Sequence, residues 1–214
     1  KRAATILTYG RASAGDACSR RLGLGSIVRV TYRYIRPLSV LYARALGPYE
    51  KSTPEAWATM ARWLDKHNAR RLVKRAYGFM RDNPRNTSPE LMRYDACIGL
   101  VGDLDADPAA GIGRQILPGG AYAVHTHVGP YDAMGDVLSK MHTGVVEKRG
   151  LSVDYDRSFM TIYLNDPAIT REMHRRTELC VPVLPIRMPL SSNDDQQEDA
   201  DLGTMGNSLQ AISG

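Results

Sequence analysis

Apolar positions in this chain switch between two periods. Trp57, Met60, Ala61 and Leu64 recur at the 3–4–7 spacing of a single helix face. Thr53 and Pro54 precede them, a capping hydroxyl and a proline suited to the first helical position, so a helix is expected over 53–67. Met134, Val137, Leu138, Met141 and Val145 repeat the spacing and predict a second helix over 131–149, with Gly150 as its C-cap. Gly135 and Gly144 each weaken that helix by about 1 kcal/mol relative to Ala, so packing must carry it.

Elsewhere the period is two. In 159–165, Met160, Ile162 and Leu164 share one face, while Phe159, Thr161, Tyr163 and Asn165 share the other. In 177–183, Thr177, Leu179, Val181 and Val183 face one way, with Glu178 and Cys180 opposite. The aliphatic faces are expected to pack under the helices. Glu178 is expected on the same sheet face as Thr161.

The landmarks repeat. Leu46-Gly-Pro-Tyr-Glu50 returns as Val128-Gly-Pro-Tyr-Asp132 at an offset of 82 residues. Met80-Arg-Asp-Asn-Pro84 matches Tyr163-Leu-Asn-Asp-Pro167, and Tyr94-Asp-Ala-Cys-Ile98 matches Thr177-Glu-Leu-Cys-Val181, both at 83. Three landmarks in one order at near-constant offset point to duplication. The expected fold class is α+β: strand-helix-strand-strand units over 27–106 and 107–188 form an antiparallel sheet. Both helices lie on one face, and a groove follows the pseudo-twofold axis.

Composition adds boundaries. The 214 residues are 43% apolar and 24% charged, with no apolar run of membrane-spanning length and no secretory leader pattern. The net charge of +5 is uneven. Residues 1–36 hold eight basic groups against Asp16, and 191–214 hold five acids and no base. The expected organisation is therefore a flexible basic arm or linker at 1–26, a working domain at 27–188 and a disordered acidic tail at 189–214. Because the basic excess sits at one end, it does not mark a nucleic-acid surface on the domain itself. Cys18, Cys97 and Cys180 form no CxxC pair, and two lie in strand-like apolar runs, which favours a reduced, cytoplasmic setting.

Taken together, Tyr42-Ala-Arg-Ala-Leu-Gly-Pro-Tyr49, Arg93-Tyr-Asp-Ala-Cys97, Tyr122-Ala-Val-His-Thr-His-Val-Gly-Pro-Tyr131 and Tyr163-Leu-Asn-Asp-Pro167 with Thr177-Glu-Leu-Cys-Val-Pro182 carry a resemblance. Over roughly residues 28–184 the chain resembles the gyrase-inhibitor-like (GyrI-like) effector-binding family. The resemblance implies a domain binding small, often cationic and hydrophobic molecules. Such domains stand alone or follow a helix-turn-helix in AraC-type transcription regulators, which would be the only route to DNA. Some relatives inhibit gyrase, and some hydrolyse cyclopropane-containing genotoxins. The family often has a pocket glutamate where this chain has Thr161, which removes the usual partner of a cation.

The candidate ligand-binding residues are Trp57, His125, His127, Phe159, Thr161, Tyr163 and Glu178. His125 and His127 share a strand face, but no HxxxH or CxxC pattern completes a metal site, so neither metal nor cofactor is expected. Gly47-Pro48 and Gly129-Pro130 read as strand-to-helix turns, since proline removes a donor that a phosphate loop needs. Tyr49 and Tyr131 beside them border the expected groove. No nucleophile elbow or nucleotide fingerprint is present. The expected ligand is a small organic molecule, aromatic and neutral in preference to cationic.

Overall fold

Gly47 and Pro48 turn the chain from strand into helix. Gly47 adopts φ +120, a conformation that favours glycine, and its N–H donates to the Met92 carbonyl at 2.8 Å. The Pro48 carbonyl then accepts the Lys51 and Ser52 N–H groups, and α1 runs from Tyr49 to Lys66. The helix thus begins one turn before the expected Thr53 cap, and Pro54 lies inside it. There its missing N–H deprives only the Glu50 carbonyl of a helical partner.

The computed structural model describes residues 28–142 and 150–185. The expected basic arm, the acidic tail, Cys18 and the helix positions Gly144 and Val145 lie outside them. The first half contains β1 (Thr31–Ile35), β2 (Leu38–Leu46), α1, β3 (Val73–Met80) and β4 (Arg93–Leu100). The second contains β5 (Ile112–Leu117), β6 (Gly120–Val128), α2 (Met134–Lys140), β7 (Leu151–Val153), β8 (Phe159–Tyr163) and β9 (Arg176–Pro185).

The sheet order is β1-β6-β9-β8-β3-β4-β2-β5, with β7 pairing the end of β9. Every pairing is antiparallel. The order reads the same from both edges once repeat counterparts are matched, so the duplicated architecture is present. The first unit carries one strand more than expected and the second carries two, β7 among them. In each, a leading strand crosses over. β1 pairs β6 of the second half, and β5 pairs β2 of the first.

The register places Ala43, Ala96, Gly78, Thr161, Leu179 and His125 in one row across six strands, all on one face. α1 packs Ala56, Trp57, Met60 and Leu64 on the β2–β4 end of that face. α2 packs Met134, Val137 and Leu138 against Leu179, Val181 and Val183 at the other end. Both helices therefore lie on the same side.

Two expectations fail here. Met160 and Ile162 do not lie under the helices. They belong to a second core with Val40, Phe79, Cys97, Leu117, Tyr122 and Cys180 on the opposite face. With Ile35 packed against it, that core draws on every strand from β1 to β5, so the sheet curves around it. Glu178 pairs in register with Ile162, and Thr161 with Leu179, so Glu178 and Thr161 occupy opposite faces. Side chains alternate along a strand, so a one-residue step decides the face.

Candidate functional site

The helix-side face opens where β3 and β8 diverge, past the Ala76–Tyr163 pair. A cleft of about 240 Å³ lies there, between α1 and the turn after β8. Trp57, Met60, Ala61 and Leu64 of α1 line one wall. Ala76 and Ile98 line the sheet side, and Tyr131 with Leu164–Pro167 lines the opposing side.

Tyr163 stands between two other rings. Its ring lies edge-on to Trp57 with centroids 5.5 Å apart, and edge-on to Tyr131 at 5.5 Å. Such edge-to-face contacts suit the ring quadrupoles and hold the aromatic wall in one arrangement. Beneath them Tyr94 ties the halves together. Its hydroxyl accepts from Trp57 Nε1 at 3.2 Å and lies 3.2 Å from the Tyr163 hydroxyl. Thr161 Oγ1 donates to the Gly78 carbonyl at 3.4 Å and is buried, without lining the cleft.

The repeat is not matched in chemistry. Tyr49, the counterpart of Tyr131, donates its hydroxyl to the Asp82 carbonyl at 2.6 Å and accepts from the Asp82 N–H. Burial pushes its pKa up to about 12. Tyr131 borders the cleft with Arg175 4.8 Å from its ring centroid. Burial raises its pKa most, Tyr163 and Asp166 add to this, and Arg175 opposes it. Trp57 has Ser139 as its counterpart, so the aromatic cleft is built on the α1 side.

Of the seven sequence candidates, Trp57 and Tyr163 line this cleft. Phe159 packs with α2, and its ring lies 6.1 Å from that of His142. His125 Nδ1 contacts the Arg29 carbonyl at 2.7 Å, and His127 Nε2 contacts the Pro130 carbonyl at 2.9 Å. Both imidazoles thus engage the backbone away from the cleft lining. Among the described residues no cluster of three His, Cys, Asp or Glu side chains could hold a metal ion. Glu178 lies on the concave face, in an ion pair with Arg33.

Asp95, the repeat counterpart of Glu178, is fully buried on that same concave face. Arg44 Nε and Arg81 Nε both donate to it at 2.7 Å, and Gln115 Nε2 donates at 3.1 Å. Burial alone would raise its pKa, but the two arginines and Gln115 outweigh that and hold it low. The acid is a structural tie.

Sequence reading missed Tyr94 as a cleft support and missed the basic rim of Arg70, Lys74 and Arg75. Tyr94 was visible within a repeated motif, but nothing in the motif distinguishes its hydroxyl from any core tyrosine. The rim needs the divergence of β3 from β8, which no local pattern encodes.

Residues 29–184 match the GyrI-like small molecule binding domain, and the chain belongs to that family. It is 28% identical over 125 residues to DNA gyrase inhibitor 1 of Dickeya dadantii strain 3937, covering 56% of this chain and 78% of that protein. It is 28% identical over 132 residues to a protein named as the SPbeta prophage-derived transcriptional regulator YosT of Bacillus subtilis strain 168, covering 58% and 84%. The fold also matches EcmrR in an EcmrR–DNA complex with a TM-score of 0.60 at 19% identity, over 73% of this chain and 57% of that one.

Proposed function

We propose that this GyrI-like domain is the ligand-sensing part of a transcription regulator of AraC type, and that its effector is a small, flat organic molecule held in the cleft beneath α1. The observation that carries the reading is the Trp57–Tyr163–Tyr131 wall, braced by Tyr94, in a concave and mainly apolar site. A relative named as a transcriptional regulator and the fold match to DNA-bound EcmrR support the regulatory context. DNA contact would come through an attached helix-turn-helix rather than through this domain. A reducing cytoplasmic setting suits Cys97 and Cys180, both buried and free. No helix among the described residues is long and apolar enough to cross a membrane.

Position 161, where the resemblance implies a cation-holding glutamate, is a threonine buried outside the cleft lining. Among the described residues Asp166 is the carboxylate in the lining, and its Oδ1 accepts the Ala168 N–H at 2.8 Å. A gyrase-inhibitor role is the second reading, favoured by the relative named for that activity.

Thermal shift against a panel of small aromatic compounds tests the effector reading. A ligand at a hundredfold excess over its Kd adds about 2.7 kcal/mol of stability by mass action. The expected result is stabilisation by at least one aromatic compound, lost in Trp57→Ala. A supercoiling assay separates the second reading, because a gyrase inhibitor acts there without any small molecule.

A further inference from the structure

Charge in the cleft is segregated. The walls are aromatic and aliphatic, and the basic groups gather on one rim, where β3 begins. Arg70 is bound through Nε and Nη2 to Asp65, which leaves Nη1 buried with no hydrogen-bond partner among the described residues. Lys74 is exposed at the mouth. Arg75 Nη1 donates to the Tyr163 carbonyl at 3.5 Å. Against these stands Asp166, part of whose carboxylate is engaged by the Ala168 N–H.

From this we infer that the cleft takes an aromatic anion, a carboxylate or sulfonate carried on a flat ring; the inference rests on the cleft being the effector site proposed above. The ring lies against Trp57, Tyr163 and Tyr131. The acid group points to the rim, where Lys74 and Arg75 supply charge beside Arg70. Arg70 and Asp65 neutralise one another, so the rim presents two further cations against one carboxylate. Aromatic walls alone attract cations. Here an incoming ammonium would approach Lys74 and Arg75 at the mouth, and Thr161, buried outside the lining, offers no carboxylate to offset the repulsion. An anion meets charge-assisted donors at the same rim.

Three probes of matched shape isolate the charge: naphthalene-2-carboxylate, naphthalene-2-carboxamide and 2-naphthylmethylammonium, each titrated against the full chain at neutral pH by tryptophan emission and thermal shift. The carboxylate is expected to bind about tenfold tighter than the carboxamide, with the ammonium weakest. Salt should narrow that gap, and the Lys74→Gln/Arg75→Gln double variant should bring the carboxylate to the level of the carboxamide while leaving the carboxamide unchanged. Equal binding of carboxylate and carboxamide, or tighter binding of the ammonium, overturns the anion preference and leaves the site assignment standing. Failure of all three probes to bind the folded chain overturns the site assignment, and the inference with it.

Discussion

Gly78 and Thr161 face each other in register across β3 and β8, and each is the other's counterpart under the 83-residue repeat. The pseudo-twofold axis therefore passes between a residue with no side chain and one with a small polar side chain. The asymmetry has a steric cause. A Cβ at Gly78 would lie 2.2 Å from the Tyr94 hydroxyl and 2.5 Å from Thr161 Oγ1. The Tyr94 hydroxyl is itself fixed by Trp57 and Tyr163, so it cannot retreat without breaking the support of the cleft.

Gly78→Ala should accordingly destabilise the protein by about 1–3 kcal/mol, the usual range for overpacking a filled interior. Urea unfolding at constant m-value measures it. The paired variant Gly78→Ala/Tyr94→Phe should recover part of the loss, because it removes the nearest atom.

Trp57 lines the cleft, while Trp63 is outside the cleft lining. A bound ligand should therefore change the emission of Trp57 and leave Trp63 nearly silent. Trp63→Phe should retain the fluorescence response to ligand, and Trp57→Phe should lose most of it.

The concave-face acid predicts a pH limit. Asp95 has a folded pKa below its unfolded value, so its stabilisation is complete above about pH 4. That contribution fades as pH falls through the folded pKa. Asp95→Asn should cost about 3 kcal/mol at neutral pH, because it leaves Arg44 and Arg81 without their acid. Its stability should then change less than that of the wild type between about pH 4 and pH 2. Parallel acid-unfolding curves for the two proteins would contradict this.

Glu178→Gln should leave the affinity of any cleft ligand within about twofold of wild type, since the residue lies on the other face of the sheet, paired with Arg33. Isothermal titration of the same ligand against both proteins decides it. A large loss would place the ligand on the concave side.

Much of this architecture was legible in the sequence. The Gly-Pro-Tyr repeats located both strand-to-helix turns, and the spacing of Trp57, Met60 and Leu64 identified the buried face of α1. The reading of β8 failed for a definable reason. Met160 and Ile162 looked like a core face and Thr161 like a pocket face, on the assumption that a sheet has one packed side. Here both sides are packed, so alternation reveals two faces without saying which one meets the helices. Glu178 was misplaced by the same step, because the register between β8 and β9 is a tertiary fact. The histidines show another limit: the backbone carbonyl beside each ring is invisible in the sequence without the turns that bring it there.

The crossed leading strands bear on how the chain folds. Thr31 waits for Val124, and neither half can complete its own sheet without the strand lent by the other. Such remote pairing raises contact order, which slows the search for the native state. It also makes the halves mutually obligatory, so unfolding should be a single cooperative event with no stable half-length intermediate. A chain cut between β4 and β5 should yield fragments that fold only by reassembling with each other, each supplying an edge that the other lacks.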